Sequence, residues 1–321
     1  MSELLKGLAL GLVSFLAVNA VSSALAPALA GPWIEPRAEV PAARRARALF
    51  ALRLFPSAAS LFALFALFVP AYLALEPRGS EENVGLPLLA LAILACLVLF
   101  SAARRGVRTW NGTRRLGRAW AKDAEPVDLA VAGLPAYRIT HPYPVVAVLG
   151  VRHPRLYVAD QVLSNLGDSE LHAVLEHERA HLAARDNLRH WLLRTCPDLL
   201  AWTPAGLRLD RAWLAAAEEA ADESAARGGP GAALALAEAL LRVARLAPPE
   251  CPAPLPELAL HNGDDLARRV RRLAAAPAPP PSPRSAASLL AFLLLLGALP
   301  LYPAALRVVH ALTESLVGLL S

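Results

Sequence analysis

Two histidines four residues apart, with a glutamate directly after the first, occur in the run His177-Glu178-Arg179-Ala180-His181. On a helix this spacing puts both imidazoles on one face, where they can grip a single Zn²⁺ while Glu178 faces a water beside the metal. The cation lowers the pKa of such a water from about 15.7 towards about 7, and a neighbouring carboxylate can take its proton as the water attacks a carbonyl. The flanks, Leu171 to Glu176 and Leu182 to Arg185, lack Pro and Gly, as the helix requires.

Catalytic zinc usually keeps three protein ligands and one open position, so a third donor is expected on a facing element. The Ala-rich run from Ala215 to Asp222 is strongly helix-forming, and Glu218 and Asp222 share one face of it. Glu218 is the expected third ligand, with Glu219 as the alternative. Asp222 is expected to accept the spare ring N–H of His177, which fixes the tautomer of a metal-bound imidazole. Two imidazoles and a carboxylate suit zinc best among common ions, one per chain. His172 lies five residues before His177 and points off the metal face, while His141, His153, His190 and His261 have no partner at ligand spacing. Cys96, Cys196 and Cys251 form neither a disulfide framework nor a CxxC site.

The surrounding chain is too apolar for an ordinary soluble domain: 56% hydrophobic, 18% charged, mean hydropathy +0.41. Four stretches free of charge, about 8–30, 55–75, 86–103 and 285–306, each come near the roughly 20 residues that cross a bilayer. Arginine distribution gives the orientation. Arg37, Arg44, Arg45, Arg47 and Arg53 follow the first stretch, and Arg104, Arg105, Arg108, Arg114, Arg115, Arg118 and Lys122 follow the third, whereas Glu76 to Glu82 between the second and third is net acidic. Positive residues stay inside. The N-terminus is therefore expected outside, the 31–54 loop inside, the acidic loop outside, and 104–284 with the metal site in the cytoplasm at the inner (plasma) membrane. A signal peptide ending at Ala28-Leu29-Ala30 is the alternative for the first stretch, opposed by the five arginines that it would export. Gly7 and Gly11 form a GxxxG, a possible homodimer contact. The net charge of +5 sits beside the apolar stretches, which favours anionic lipid over nucleic acid.

Within 104–284, short β-branched runs at Val127–Val131, Tyr137–Thr140, Val145–Val151 and Arg155–Val158 predict a small sheet, with Val145 to Gly150 as candidate edge strand for an extended substrate. Asn165 to Asp168 are expected to cap the HExxH helix, which ends near Asp186-Asn187; helices follow over 188–200, 206–227, 231–246 and 264–274. Pro-rich runs at 248–256 and 277–283 are read as spacers.

The order of these pieces, with His177 to His181 followed by Asp186, Trp202-Thr203-Pro204, Glu218 to Asp222 and Arg268-Arg269-Val270-Arg271-Arg272-Leu273, resembles the integral-membrane zinc peptidases of the BlaR/MecR antirepressor type. The resemblance implies a multi-pass α-helical membrane protein: three transmembrane helices (1–103), a mainly α, α+β zincin-like metallopeptidase domain (104–284), and a fourth helix with a short tail (285–321). It also implies zinc on His177, His181 and Glu218, Glu178 as general base and acid, and a protein or peptide substrate such as a winged-helix repressor. Sensor members continue into a penicillin-binding domain; this sequence stops at Ser321 and has no Ser-x-x-Lys motif. Three functions are expected to compete: regulatory endopeptidase acting on a cytoplasmic repressor or itself, quality-control protease similar to the HtpX and CAAX-protease group, and non-catalytic membrane scaffold.

Overall fold

The computed structural model describes residues 3–36, 40–75, 85–129, 133–229, 231–248, 263–275 and 302–320. Its first half is three long rods. Helix α1 spans Glu3–Ile34; α2 (Ala42–Phe62) runs through a π-helical turn at Ala63–Phe68 into α3 (Val69–Leu75); α4 spans Leu86–Trp120. All three rods are long and apolar enough to cross a membrane. Tyr302, at the start of α11 (Tyr302–Leu320), donates its hydroxyl to Ala66 O within the π turn at 2.6 Å.

These helices correct several sequence expectations. The 31–54 loop is helical from Ala42 onward, so Arg44, Arg45, Arg47 and Arg53 ride on α2 instead of a connector. The apolar stretch ends at 103, but the helix that carries it continues unbroken to Trp120, with no Pro to stop it. The GxxxG faces inward: a Cβ on Gly7 would lie 2.6 Å from the Tyr72 ring, and one on Gly11 3.0 Å from Phe68. That surface is filled by the chain itself and is closed to a second copy. The acidic loop, most of both Pro-rich runs and the fourth stretch up to 301 lie outside the described residues.

The second half combines a sheet with helices. Strands β1 (Glu125–Val127), β2 (Ala136–Ile139), β3 (Val146–Leu149) and β4 (Arg155–Ala159) are ordered β1-β2-β4-β3, with β2 and β4 parallel and the other pairs antiparallel. Strand β3 is an edge. After α5 (Asp160–Asn165) come α6 (Asp168–Ala184), α7 (Asp186–Thr195), a 3₁₀ turn at Leu199–Trp202, α8 (Pro204–Ala225), α9 (Ala232–Leu246) and α10 (Gly263–Ala275). Leu156, Val158, Val162, Ala173, Leu236 and Ala239 build the core between sheet, α6 and α9, and Trp120 enters it edge-on to Tyr157. Helix α4 therefore carries the chain from its apolar span straight into the domain core.

A polar knot joins the rods to the domain. Asn19 on α1 donates to Ser60 Oγ (3.1 Å) and Pro197 O (2.9 Å) and accepts from Leu199 N–H (3.0 Å). Arg53, 1% exposed, pairs with Asp198 and Asp210, both at 2.7 Å, and Ser57 donates to Asp198. Arg105 donates to Cys196 O. A buried charge left without its partner is expensive, on the order of 3–5 kcal/mol. Arg53→Met is accordingly expected to lower the thermal midpoint by several degrees, read by intrinsic fluorescence in detergent; an unchanged midpoint would make the pair dispensable.

Candidate metal centre

Helix α6 starts cleanly because Glu170 reaches back to accept the Gly167 N–H at 2.8 Å while pairing with Arg242 of α9 at 2.9 Å. The cap is thus Gly167 with Glu170, not a side chain of Asn165 to Asp168. The helix ends at Arg185, the one described non-glycine residue with positive φ (56°). That left-handed residue reverses the chain and starts α7 at Asp186, within reach of α6. Helix α8 is set by Thr203, whose Oγ1 accepts from Gly206 N–H at 3.1 Å, with Pro204 at its first position. Gly206 is needed here: a Cβ would fall 1.9 Å from Leu200 O.

The two helices bring His177, His181 and Glu218 together. His177 Nε2 and His181 Nε2 lie 3.1 Å apart, and the Glu218 carboxylate oxygens lie 3.6 Å and 3.4 Å from them. Three tetrahedral ligands at about 2.05 Å from an ion sit roughly 3.3 Å apart. The donor set and its spacing therefore fit one divalent cation, with no rearrangement of the helices.

Behind the donors stands a shell of fixed partners. Asp186 Oδ2 lies 2.8 Å from His181 Nδ1, and Asp222 Oδ1 lies 3.0 Å from His177 Nδ1, approached off the ring axis. Both leave Nε2 to the cation, the arrangement that orients a ligating imidazole. Arg269 of α10, 3% exposed, forks onto both Asp222 oxygens at 2.7 Å and reaches Glu218 at 3.0 Å. Asp186 and Arg269 entered the sequence reading only through a family resemblance. Neither has a spacing signal, since one depends on the left-handed turn and the other on a helix distant in sequence. Glu219, the alternative ligand, turns away: it is 1% exposed and pairs with Arg45 of α2 at 3.0 Å and with Arg268 and Arg272 of α10.

Glu178 lines the cleft above the donors. Burial pushes its carboxyl above the ordinary glutamate range, while the imidazoles and a hydrogen bond from Val148 N–H pull it back. Val148 belongs to the open side of β3: Val145 O faces β4, accepting from Ala159 N–H, so Val146, Val148 and Gly150 face outward. Asn187 of α7 donates to Val148 O at 2.8 Å and to Gly150 O at 3.2 Å. The edge strand is thereby pinned beside the donors.

Charge is balanced around the cluster. Burial opposes ionisation of Glu218, yet Arg269 and His181 hold its carboxyl well below the usual range; burial likewise opposes Asp222, which Arg269 and His177 bring down to about 2. Burial disfavours protonated imidazole, but hydrogen bonds to the Asp222 and Glu218 carboxylates raise His177 above 6.5, and Glu218 and Asp186 raise His181 well above it.

A paired-imidazole and carboxylate site under a cleft, in a domain attached to three apolar rods, marks a membrane-associated metal-site protein. The family model described as BlaR1 peptidase M56 matches residues 77–273, and the chain belongs to that family, which points to a membrane-associated metallopeptidase. Comparison with curated proteins and with solved structures gives no match.

Two outcomes follow for the cation. Metal needs both imidazoles neutral, and their raised pKa values mean protons compete from above the ordinary histidine range. Zinc affinity measured by chelator competition should fall steeply as pH drops from 8 to 6, approaching about 100-fold per pH unit once both imidazoles are protonated; a flat profile would remove the histidines as ligands. Asp186→Ala should weaken zinc about 10- to 100-fold with the fold intact, and wild-type affinity in that variant would leave Asp186 without a role at the site.

Proposed function

We propose that this protein is a zinc-dependent endopeptidase whose three rods cross the membrane and whose catalytic domain lies in the cytoplasm, where it cleaves a repressor or itself in regulatory proteolysis. The convergence of His177, His181 and Glu218 beside Glu178 carries this reading. His177, His181 and Glu218 would hold the cation, leaving one position open towards the cleft. When bound, the cation supplies Lewis-acid polarisation of a water and of the scissile carbonyl.

The chain's own groups would do the rest. Glu178 takes the proton from the attacking water and returns it to the leaving amine, a role that its raised pKa suits. Asp186 and Asp222 keep each imidazole in the tautomer with Nε2 free, and Arg269 holds the Glu218 carboxylate in place. An extended substrate can add to β3 at Val146, on the open side; beyond it, Glu178 and Asn187 already occupy the outward groups of Val148.

A scaffold that uses zinc structurally would have no need of a carboxylate at Glu178, which favours the enzyme. Glu178→Gln in the purified full-length protein should keep one zinc per chain and lose about 10²- to 10⁴-fold in hydrolysis of casein or of itself. Equal activity in wild type and variant would end the proposed role of Glu178.

A further inference from the structure

The cleft above the metal donors is lined by Arg114, Arg115 and Arg118 of α4, Arg152 of the turn after β3, Arg185 between α6 and α7, and Arg194 of α7. All six are exposed, and none pairs with an acidic side chain among the described residues. The acidic residues lining the same cleft are Glu178, Asp186 and Glu218, all committed to the metal site. Like charges gathered on one concave surface repel one another, raise the local concentration of anions and steer them inward.

Lipid does not account for the three on α4. With the apolar part of α4 ending at Ala103, a rise of about 1.5 Å per residue places Arg114 about 16 Å and Arg118 about 22 Å further along the axis. The headgroup layer is roughly 5–8 Å deep on each side, and salt screens beyond about 8 Å. Arg104, Arg105 and Arg108 are at headgroup depth; Arg114, Arg115 and Arg118 are past it even if α4 tilts by about 40°. They turn instead towards the cleft that β3 borders.

Resting on the peptidase reading of the same site, we infer that the substrate is an extended polypeptide segment with acidic side chains flanking the bond to be cut. The outward N–H and C=O of Val146 on edge strand β3 suit a peptide and not a nucleic acid.

The test uses full-length Glu178→Gln protein, zinc-loaded in detergent, with fluorescein-labelled peptides of equal length that carry Glu, Gln or Lys around one apolar centre. Anisotropy should show the Glu peptide binding at least tenfold tighter than the Gln peptide and the Lys peptide weakest, with the difference shrinking as salt rises. Combined Arg118→Glu and Arg152→Glu should shrink the preference for the Glu peptide severalfold while the thermal midpoint holds, since both side chains are exposed. Equal binding of the three peptides, or binding that ignores the charge reversal, overturns the inference. So does displacement of the Glu peptide by single-stranded oligonucleotide or by phosphatidylglycerol vesicles at lower concentration than unlabelled peptide, which would reassign the cleft to those ligands. Cleavage of all three peptides alike by wild type would sink the charge preference and keep the peptidase; charge-selective binding with no cleavage by wild type would do the reverse.

Discussion

Glu218 and Glu219 are consecutive on α8 and serve two different faces of it, and the rest of the molecule is arranged around that fact. Residue 218 meets the two histidines, with Asp222 one turn later beside His177; residue 219 meets Arg45, with Glu223 one turn later accepting the Ala42 N–H at the start of α2. One helix thus serves two surfaces about a hundred degrees apart. Its position is fixed by α6 on one side and by α2 on the other. Arg269 and Arg272, also on one helix, clamp the same two faces from α10. Four carboxylates within six residues, Glu219 and Asp222 fully buried among them, are tolerable only because arginines from two elements neutralise them.

That arrangement ties the metal site to the apolar rods through packed groups, not through a flexible tether. Trp213 of α8 stacks at a tilt against Phe50 of α2, while Leu49, Ala26 and Ala30 bring α1 and α2 onto α7 and α8. Helix α4 crosses α7 so closely at Gly106 that a Cβ there would lie 2.6 Å from Thr195 Oγ1, and Trp191 donates to Gly106 O. Helix α7 begins with Asp186, the partner of His181. Both helices that support the donors from behind, α7 and α8, are therefore braced by membrane-length rods.

The grouping of His177, His181 and Glu218 was legible in the sequence because a helix converts spacing into direction: four residues apart means one face, and Ala-rich surroundings favour the helix. Strands β2, β3 and β4 were legible to within a residue or two from β-branched runs between breakers, whereas the expected Val127–Val131 shares only Val127 with β1. The chemistry that positions the donors was not, because it depends on tertiary approach. Nothing local to Arg269 says that it will fork onto Asp222, and nothing in Arg185 announces the left-handed turn that swings Asp186 under His181. The length of α4 beyond 103 was not legible for a related reason. A change from apolar to basic residues marks where a helix leaves hydrocarbon, not where it ends, and α4 goes on because its sequence remains helix-forming to Trp120.

The arginine runs give the sharpest instance of that limit. Read along the chain they form one class, cations flanking apolar stretches, and they yield an orientation. In three dimensions they separate by depth and partner. Arg45 and Arg53 are buried counter-ions for Glu219, Asp198 and Asp210; Arg105 closes the end of α7 by binding the Arg194 and Cys196 carbonyls; Arg114, Arg115 and Arg118 line the cleft. A buried arginine whose carboxylate partners come from another element costs little once the fold is complete and a great deal before it. Arg45 and Arg53 therefore select the docked arrangement of rods and domain over any arrangement that leaves them unpaired.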